Sequence, residues 1–586
     1  MIYIRRGYVE QKKKVVVLDS GLDPNSNLAK RNNFKGGVGI YVDSDNRTQI
    51  EYNAIDDIGH GTAVSSLIFK LCNDIEIIPI KIIYEGMISS TDTMIEVLKY
   101  VYQNIECDVI NISAGIVSCD NIEKLYDICE KLTDKGVIIV SAHDNGGAVS
   151  YPAAFDCVIG IAGERKKKKT FTFKSILNNN ADYVGVDKER NLPWLDNTYN
   201  LVSGNSFITP EFVQRVLEMK KGKIEGFNEI VYELNSMASD TVFYNKHKIN
   251  NIDLKINKAI VFPYNKEMHS LARYEDLLDF EIVDFYDLKY SCNVGKAISE
   301  SKDNNTIKNI LSLDWNSDFD TFILGHNSII AEATGIDIET YIAKKCIENN
   351  KNLFSCKDIR NKKEIKESNI NVYCPHVDSI KKTDFLQMHV MGCPVLGVVG
   401  TGPSQGKFTI QLGVRRELIK RGFNVGQLGT EPTAPLFGMD AVFPMGHESA
   451  VYVKGFEAIV AINQMLGYIE KKEPDIIIFG SQSNTVPFHV GGPQDYTIVQ
   501  HELLLGCQAE AYILCVSIDA PIEYISRTIS YLEGLYKSDV IAIAISPIAI
   551  GARWSTINVK KELIDKSEKD KFSKELNGRF TIPVLE

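Results

Sequence analysis

Short runs of apolar residues alternate with longer amphipathic stretches over the first part of the chain. The apolar runs read KVVVLD, IEIIPIKII, CDVINIS, GVIIVSA and CVIGIAG. Helix-like stretches such as Asp92–Gln103 and Asn121–Lys135 lie between them. Strands that alternate with helices form parallel sheets with helices on both faces. The pattern therefore predicts an α/β domain over residues 1–222.

A polar stretch over residues 223–257 interrupts this pattern. It lacks a regular apolar period and carries Asn-Asn and Asp turn signals, which predicts a linker. Beyond it, the runs AIVFPY and FILG predict a second α/β domain over residues 258–380. The runs VLGVVG, DIIIFG, AYILCVS and VIAIAIS alternate with helical patterns and predict a third α/β domain over residues 381–586.

The composition agrees with several soluble domains and does not favour nucleic acid as a partner. The chain has 586 residues, 44% of them hydrophobic and 24% charged, whereas a single core stops growing near about 250–300 residues. The net charge is −11, and the basic run Arg165–Lys169 is short enough to be interpreted as a solvated loop. The oligomeric state is left open by these features.

Three features of the sequence predict a cytoplasmic location. No stretch approaches the roughly 18–20 consecutive apolar residues of a membrane helix, and the N-terminus leads directly into the predicted strand Val15–Leu18. We therefore expect neither a membrane span nor a signal peptide. The 12 cysteines form no C-x-x-C pair and no regular spacing, which is typical of free thiols in a reducing compartment.

Three separated motifs supply the parts of a serine nucleophile system. Asp19 ends the run VVVLD, His60 lies in DDIGHGT, and Ser206 lies in SGNSFITP. A serine hydroxyl needs a histidine base, and that histidine needs a carboxylate that fixes its tautomer. Each residue alone could be a turn former or a helix cap. All three in this order, after a strand or before a helix, predict a catalytic triad.

The motifs resemble the D-[ST]-G, H-G-T and G-T-S-x-[AS]-x-P motifs of subtilases, over about residues 14–220. The resemblance implies a subtilisin-like serine endopeptidase that needs no metal or cofactor. It also implies that Ser113, Ala114 and Gly115 bind substrate as an added strand and that Asn145 donates to the oxyanion. The chain carries Asn205 where the family usually has Thr and Ile208 where it usually has a small residue.

The compact span and the lack of an apparent pro-segment before Asp19 fit a selective intracellular processing enzyme better than a secreted degradative one. The expected substrate is a peptide or precursor protein. The fusion of such a peptidase to the module described next is similar to proteins of clostridial peptide-maturation systems.

A glycine-rich loop follows the predicted strand of the third domain. The segment from Gly400 through Thr401, Gly406 and Lys407 to Thr409 reads as strand, loop and helix, with spacing G-x5-G-K. Backbone N–H groups of such loops hold phosphates, and the lysine supplies a positive charge. Phe408 stands where a Mg²⁺-binding hydroxyl is expected, and Thr409 is the nearest substitute. The pattern predicts a phosphate site with weak metal dependence.

Residues 258–586 resemble the uncharacterised P-loop family that includes a D-glutamate N-acetyltransferase, and more remotely dethiobiotin synthetase. Gly426–Ser449 and Asp475–Phe488 carry the resemblance. It implies a Rossmann-like domain over 258–380, a P-loop NTPase-like domain over 381–586, and ATP, another nucleotide or coenzyme A as ligand. The run Phe479–Ser483 lacks the family's acidic residue. Further polar candidates, each also interpretable as a loop or cap residue, are Asp440, His447 and Glu448.

Three functions remain compatible with the sequence. The chain is a processing endopeptidase with a ligand-binding C-terminal half, a peptide-modifying transferase or ligase centred on Lys407, or a binding protein in which both sites are inactive. Labelling of Ser206 separates the first function from the third, and ligand binding at Lys407 tests the second.

Overall fold

A computed structural model gives the fold of most of the chain. It divides into two compact units: the first comprises Met1–Lys246 with Asp384–Val390, and the second His247–Thr383 with Met391–Glu586. The described residues are 12–30, 37–43, 45–84, 90–117, 121–165, 171–177, 181–243, 254–265, 267–298, 306–379, 388, 391–446, 448, 450–488, 497–550 and 561–585.

The first unit is built on a ten-stranded, mainly parallel sheet. Its strands are β1 (Lys13–Asp19), β2 (Val38–Val42), β3 (Thr48–Glu51), β4 (Ile75–Lys81), β5 (Val109–Ile112), β6 (Ile138–Ala142), β7 (Ile159–Arg165), β8 (Phe173–Leu177), β9 (Tyr183–Asp187) and β12 (Thr241–Phe243), and a separate hairpin pairs β10 (Arg190–Pro193) with β11 (Tyr199–Val202). The spatial order is β12-β8-β9-β7-β6-β5-β1-β4-β2-β3. Strands β8–β9 and β2–β3 pair antiparallel.

Helices cover both faces of this sheet. The helices are α1 (Asn27–Lys30), α2 (His60–Leu71), α3 (Thr91–Asn104), α4 (Ile122–Asp134), α5 (Thr209–Lys221) and α6 (Phe227–Met237). One core cluster joins α2, α5 and α6 to the sheet, and another joins α3 and α4 to it. Because β1 is buried on both faces, its residues Val15–Leu18 are all apolar, as parallel strands require. The predicted α/β class is confirmed.

The predicted linker over residues 223–257 differs from the structure in its first half. Residues 227–237 form α6, and β12 pairs with β8 at the edge of the sheet. Ile230 and Leu234 are the buried positions of α6, one turn apart, so a single narrow stripe holds the helix against the first unit. Two apolar residues in a polar segment give too weak a period to predict that helix.

The second unit contains two parallel sheets. The six-stranded sheet, in the order β15-β14-β13-β16-β17-β18, is the predicted Rossmann-like part. Its strands are β13 (Lys258–Phe262), β14 (Glu281–Asp287), β15 (Lys308–Asn309), β16 (Thr321–Leu324), β17 (Asn352–Ser355) and β18 (Val372–Tyr373), and its helices are α7 (His269–Arg273), α8 (Ser328–Thr334), α9 (Ile338–Glu348) and α10 (Lys363–Lys366).

The seven-stranded sheet has the order β21-β20-β22-β19-β23-β24-β27. Its strands are β19 (Val395–Gly400), β20 (Val425–Gly429), β21 (Ala441–Val442), β22 (Ile476–Gly480), β23 (Ala511–Val516), β24 (Asp539–Ile545) and β27 (Val584–Leu585). Its helices are α11 (Lys407–Lys420), α12 (Phe456–Glu470), α13 (Ile498–Cys507), α14 (Ile522–Leu535) and α15 (Lys566–Arg579), and β25 (Ile548–Ile550) and β26 (Lys561–Leu563) form a separate hairpin.

An apolar cluster joins the two sheets of the second unit. Val261 and Phe285 of the six-stranded sheet pack in one core with Leu412 of α11 and Phe437. The loop that follows β19 is therefore fixed relative to the six-stranded sheet. None of the described helices combines the length and the apolarity that crossing a bilayer would require.

Candidate active site and phosphate loop

Asp19 and His60 meet at the carboxyl end of β1, where open α/β sheets place their sites. Nδ1 of His60 lies 2.8 Å from Oδ1 and 3.0 Å from Oδ2 of Asp19. The Asp19 side chain is 1% exposed and that of His60 is 26% exposed. Because both carboxylate oxygens face Nδ1, that nitrogen carries the proton and Nε2 is left as the basic atom.

Two neighbouring residues set the position of His60, the first residue of α2. Asp56 caps this helix, accepting from the N–H groups of Gly59 and Thr62 at 2.8 and 2.9 Å and from the Thr62 hydroxyl at 2.7 Å. A Cβ atom at Gly61 would collide with the carbonyl oxygen of Gly21. Glycine at 61 is therefore required for the start of α2 to approach the end of β1.

The charges around His60 favour its protonated form. Burial alone would lower the pKa of the imidazole, but attraction to Asp19, the hydrogen bond with it, and the more remote charge of Asp56 raise the pKa above 6.5. Asp56 itself is buried, which would raise its pKa, yet the hydrogen bonds from Gly59 and Thr62 outweigh that effect and lower it below 3.8. Asp56 is therefore a fixed negative charge at neutral pH.

Ser206 lies in a 3-10 turn, Asn205–Phe207, directly before α5. Its hydroxyl donates to the carbonyl oxygen of Ser113 at 3.1 Å. The rings of the neighbouring Phe207 and of His60 pack with their centroids 5.0 Å apart. Among the described residues, no hydrogen bond joins Ser206 to His60. Catalytic hydrogen bonds are often long or misaligned without substrate. The Ser206 hydroxyl is thus turned toward Ser113, while the next residue, Phe207, contacts the His60 ring.

Asn145 and Asn205 connect the oxyanion loop to the nucleophile turn. The N–H of Asn205 donates to Oδ1 of Asn145 at 2.8 Å, which directs the Asn145 amide nitrogen away from that contact. Nδ2 of Asn205 donates to the carbonyl oxygens of His143 at 2.9 Å and Asp144 at 3.2 Å. Asn205, which stands where subtilases usually have Thr, therefore holds the loop that carries Asn145, the predicted oxyanion donor.

The segment Ser113–Gly115 continues beyond the end of β5 toward the surface. Ser113 is buried, Ala114 half-buried and Gly115 exposed. Within the described part of the chain, the backbone groups of Ala114 and Gly115 make no hydrogen bond. A backbone with open N–H and C=O groups at a sheet end can pair with an extended peptide. Of the three predicted substrate-binding residues, Ser113 contacts Ser206 directly, and Ala114 and Gly115 follow it along the chain.

In the second unit, the loop between β19 and α11 has the predicted arrangement of strand, glycine turn and helix. Gly406 precedes α11 with φ 80°, a left-handed conformation that favours glycine. Lys407 is 6% exposed, and its ammonium donates to the carbonyl oxygens of Gly402 at 2.6 Å and Ser483 at 3.1 Å. The lysine is thus directed into its own loop.

The two residues after Lys407 are engaged elsewhere. The Phe408 ring packs against that of Phe437 with centroids 5.3 Å apart. The Thr409 hydroxyl accepts a hydrogen bond from Tyr274 at 2.6 Å. Neither residue presents a free hydroxyl oxygen beside Lys407. Thr401, at the other end of the loop, is buried, and its hydroxyl bonds to the side chain of Gln405.

A cavity of about 930 Å³ lies over this loop. It extends from the carboxyl ends of β20 and β22 across the start of α11 to the end of β24, and residues around α7 form its opposite wall. His326 lines it, and Nδ1 of His326 lies 3.1 Å from Oε2 of Glu448. The cavity is large enough for a nucleotide-sized ligand.

The remaining polar candidates of this region have separate positions. Asp440 accepts from Lys472 at 2.8 Å and from the N–H of Gln427 at 2.8 Å, so it stabilises the β20 and β21 region away from the cavity. Glu448 orients His326, a histidine that the sequence did not single out. His447 lies outside the described residues.

The fold and the site of the first unit define a subtilisin-like serine peptidase domain. Residues 10–263 match the model of the subtilase family, and residues 386–586 match that of a domain of unknown function described as the DUF1611_C P-loop domain. The chain therefore contains a subtilase-family domain and a C-terminal DUF1611 P-loop domain, and the predicted resemblances are confirmed over these two ranges.

Individual relatives match one unit or the other. The minor extracellular protease Epr of Bacillus subtilis is 24% identical over 220 residues, which cover 35% of this chain and 32% of that protein. A DUF1611 family protein of Anabaena variabilis is 15% identical, with a TM-score of 0.42 over 56% of this chain and 95% of its own. The epidermin leader peptide processing serine protease of Staphylococcus aureus is 14% identical, with a TM-score of 0.31 over 38% of this chain and 68% of its own. The chain thus spans about a third of the length of the curated relative that it matches.

Sequence reasoning missed three residues that shape these sites: Asp56, Gln405 and His326. Asp56 had a detectable signal, because an Asp shortly before a helix often caps it. Gln405 and His326 had none, since their roles depend on side-chain positions that no local pattern encodes.

Proposed function

We propose that the first unit is a serine endopeptidase that cleaves an extended segment of a specific peptide or precursor protein. The observation that carries this proposal is the hydrogen-bonded Asp19–His60 pair at the carboxyl end of β1, together with the Ser206 turn, which is bonded to Ser113 after β5 and to Asn145 after β6. A nucleophile, its base, the orienting carboxylate and an oxyanion donor are the parts that acyl transfer needs.

The chemistry follows from the hydrogen bonds of each residue. When substrate binds, the Ser206 hydroxyl turns from the Ser113 carbonyl and gives its proton to Nε2 of His60 as its oxygen attacks the scissile carbonyl carbon. Asp19 stabilises the imidazolium that forms. The Asn145 amide donates to the oxyanion, a contribution of about 3–4 kcal/mol for such donors. His60 then protonates the leaving amine, and water releases the acyl group.

Selectivity for an extended segment is supported by the open backbone of Ala114 and Gly115. A substrate strand paired there would lie across Ser206 in a fixed register, because strand pairing repeats every two residues. A folded loop could not pair in this way. Rapid, unselective digestion of unfolded casein would contradict a selective function, whereas cleavage of few peptides in a library would support it.

Labelling with a fluorophosphonate probe tests the peptidase function. The wild-type protein should be labelled at one serine and the Ser206→Ala variant should not. Ser65→Ala is a matched control, because the Ser65 hydroxyl is buried in α2 without a hydrogen-bond partner among the described residues. That variant should label like the wild type. A wild-type protein that neither labels nor cleaves any peptide would leave only a binding function for this unit.

We further propose that the second unit binds a phosphorylated ligand at Gly400–Lys407, such as ATP, another nucleotide or coenzyme A. The cavity over the loop and the position of the loop at the start of α11 support this function. At the cavity wall, Glu448 orients His326. In this position His326 would accept a proton from a second substrate while a group is transferred to that substrate. The test is whether a nucleotide or coenzyme A stabilises the wild type against thermal unfolding but does not stabilise Lys407→Ala.

A further inference from the structure

The side chain of Gln405 fills the loop that precedes α11. Its Oε1 accepts from the N–H of Gly402 at 2.8 Å, and its Nε2 lies 3.0 Å from the Thr401 hydroxyl. Gln405 is 5% exposed, so the amide is enclosed by the loop that surrounds it. The carbonyl oxygen of Gln405 thus occupies a position where a phosphate oxygen could accept from the same N–H.

The glycines of the loop make room for this amide. A Cβ atom at Gly400 would lie 3.0 Å from Oε1 of Gln405, and one at Gly402 would lie 3.0 Å from its Nε2. The ammonium of Lys407 is meanwhile held by the carbonyl oxygens of Gly402 and Ser483. A loop donor and the positive charge that a phosphate would use are therefore both engaged by groups of the protein itself.

The cavity above the loop nevertheless retains polar groups without partners. The Ser481 hydroxyl and the Gln500 amide both line it, are 4% and 1% exposed, and form no hydrogen bond among the described residues. Buried polar groups without partners are costly, and hydrogen bonds to a polar ligand in the cavity would offset that cost. The cavity is thus shaped for a polar ligand, while the centre of the loop is closed by Gln405.

We propose that Gln405 is an internal competitor for the phosphate site, so that a diphosphate group enters the loop only when the Gln405 side chain moves out. The inference rests on the proposed phosphate-binding function and adds a residue that sets the affinity and selectivity of the site. A diphosphate accepts from several loop N–H groups at once, so it competes directly with Gln405 Oε1 for the N–H of Gly402. Diphosphate is the group that ATP and coenzyme A share.

Calorimetric titration of the full-length protein with sodium pyrophosphate tests this role. Gln405→Ala removes the competing oxygen and should bind pyrophosphate about five- to tenfold more tightly than the wild type, the effect of one hydrogen bond. Gln405→Glu keeps the shape but adds a negative charge beside the loop N–H, and should bind at least tenfold more weakly. Gln214→Ala removes a glutamine amide of the first unit that donates to Glu218 at 2.9 Å and lies outside the residues that line the cavity, and this variant should bind like the wild type.

The outcomes separate this inference from the function on which it rests. If the wild type binds pyrophosphate and Gln405→Ala gives no gain, the inference is wrong and the phosphate site stands. If neither protein binds, both are wrong, because opening the loop has exposed no site. Binding by Gln405→Ala alone supports the inference most directly. Parallel titrations with ATP and coenzyme A then show which source of diphosphate gains more from the opened loop.

Discussion

The backbone N–H of Asn205 donates to Oδ1 of Asn145 at 2.8 Å, which links the residue before the nucleophile to the predicted oxyanion donor. The Asn205 side chain adds bonds to the carbonyl oxygens of His143 and Asp144. Gly204 makes the approach possible, since a Cβ atom there would lie 3.0 Å from Oδ1 of Asn145. The separation of nucleophile and oxyanion donor is thus set by direct contacts between their two loops.

Replacement of Asn205 should reduce the rate of the chemical step more than substrate binding. Asn205→Asp keeps the shape but cannot donate to His143 and Asp144, so the oxyanion loop should shift and kcat should fall about tenfold or more, with KM little changed. Asn145→Ala should lower kcat by about 10²–10³. Steady-state kinetics on a fluorogenic peptide measure both effects.

Two controls identify the origin of that loss. Asn205→Thr retains a hydroxyl donor and should keep more activity than Asn205→Asp. In the double variant Asn205→Asp/Asn145→Ala, the two losses should be less than additive, because both act on the same oxyanion contact. Full additivity would show that Asn205 acts by another route.

The pH dependence of cleavage should report the environment of His60. Only neutral His60 can accept the Ser206 proton, and Asp19 and Asp56 raise its pKa above 6.5 despite burial. As pH falls through that raised pKa, kcat/KM should fall, so the acid limb should lie above pH 6.5. An acid limb below pH 6.5 would contradict the assignment of His60 as the base.

Nuclear magnetic resonance of the His60 ring gives the same pKa without turnover. Asp19→Asn removes the attraction that stabilises the imidazolium, and the pKa of His60 should fall. Asp57→Asn changes a carboxylate that pairs with Lys81, does not contribute to the shift, and should leave the pKa unchanged.

Much of the fold could be predicted because strands buried in parallel sheets must be continuously apolar. The runs at β1, β5, β6 and β19 match strands of the structure, and the stretch predicted at Asp92–Gln103 is α3, Thr91–Asn104. Residues 227–243 escaped prediction because α6 buries only a narrow stripe and β12 is three residues long. Their structure depends on contacts with the rest of the first unit.

The candidate sites could likewise be predicted only in part. Motif order sufficed to single out Asp19 and His60, since a carboxylate after a strand and a histidine before a helix reach the same sheet edge. The orientation of Ser206 toward Ser113 and the position of Gln405 inside its loop could not be predicted, because both depend on rotamers that are chosen by tertiary packing.

Gly61→Ala should disrupt the active site although the change is one methyl group. The added carbon would collide with the carbonyl oxygen of Gly21 and would approach Cβ of Asp19 to 3.2 Å. The start of α2 would move, and His60 with it, so cleavage should fall at least about 10²-fold, the scale expected when a catalytic group shifts by about 1 Å. Gly226→Ala, where a Cβ meets only the Glu229 side chain at 3.4 Å, should retain activity.

Lys407→Ala should abolish ligand protection of the second unit. In the wild type, a ligand of the loop raises stability by RT ln(1 + [L]/Kd), or about 2.7 kcal/mol at a hundredfold excess over Kd. Differential scanning calorimetry with ATP and with coenzyme A should show this stabilisation and its loss in the variant. Cleavage by Ser206 should persist, because the two residues belong to different units. Absence of protection by any nucleotide or by coenzyme A would exclude the phosphate function.

Magnesium should add little to nucleotide binding at this loop. A P-loop normally places a Ser or Thr hydroxyl on the metal immediately after its lysine. Here Phe408 packs against Phe437, and the Thr409 hydroxyl accepts from Tyr274 at 2.6 Å. The affinity for ATP should therefore be similar with Mg²⁺ and with EDTA, and hydrolysis should be slow.

Two variants test the role of the hydroxyl groups. Phe408→Ser restores a hydroxyl beside Lys407 and should gain Mg²⁺ dependence. Tyr274→Phe frees the Thr409 hydroxyl and shows whether that more distant group can replace it. Brisk Mg²⁺-dependent ATP turnover by the wild type, lost in Lys407→Ala, would mean that the metal is held by groups other than these two.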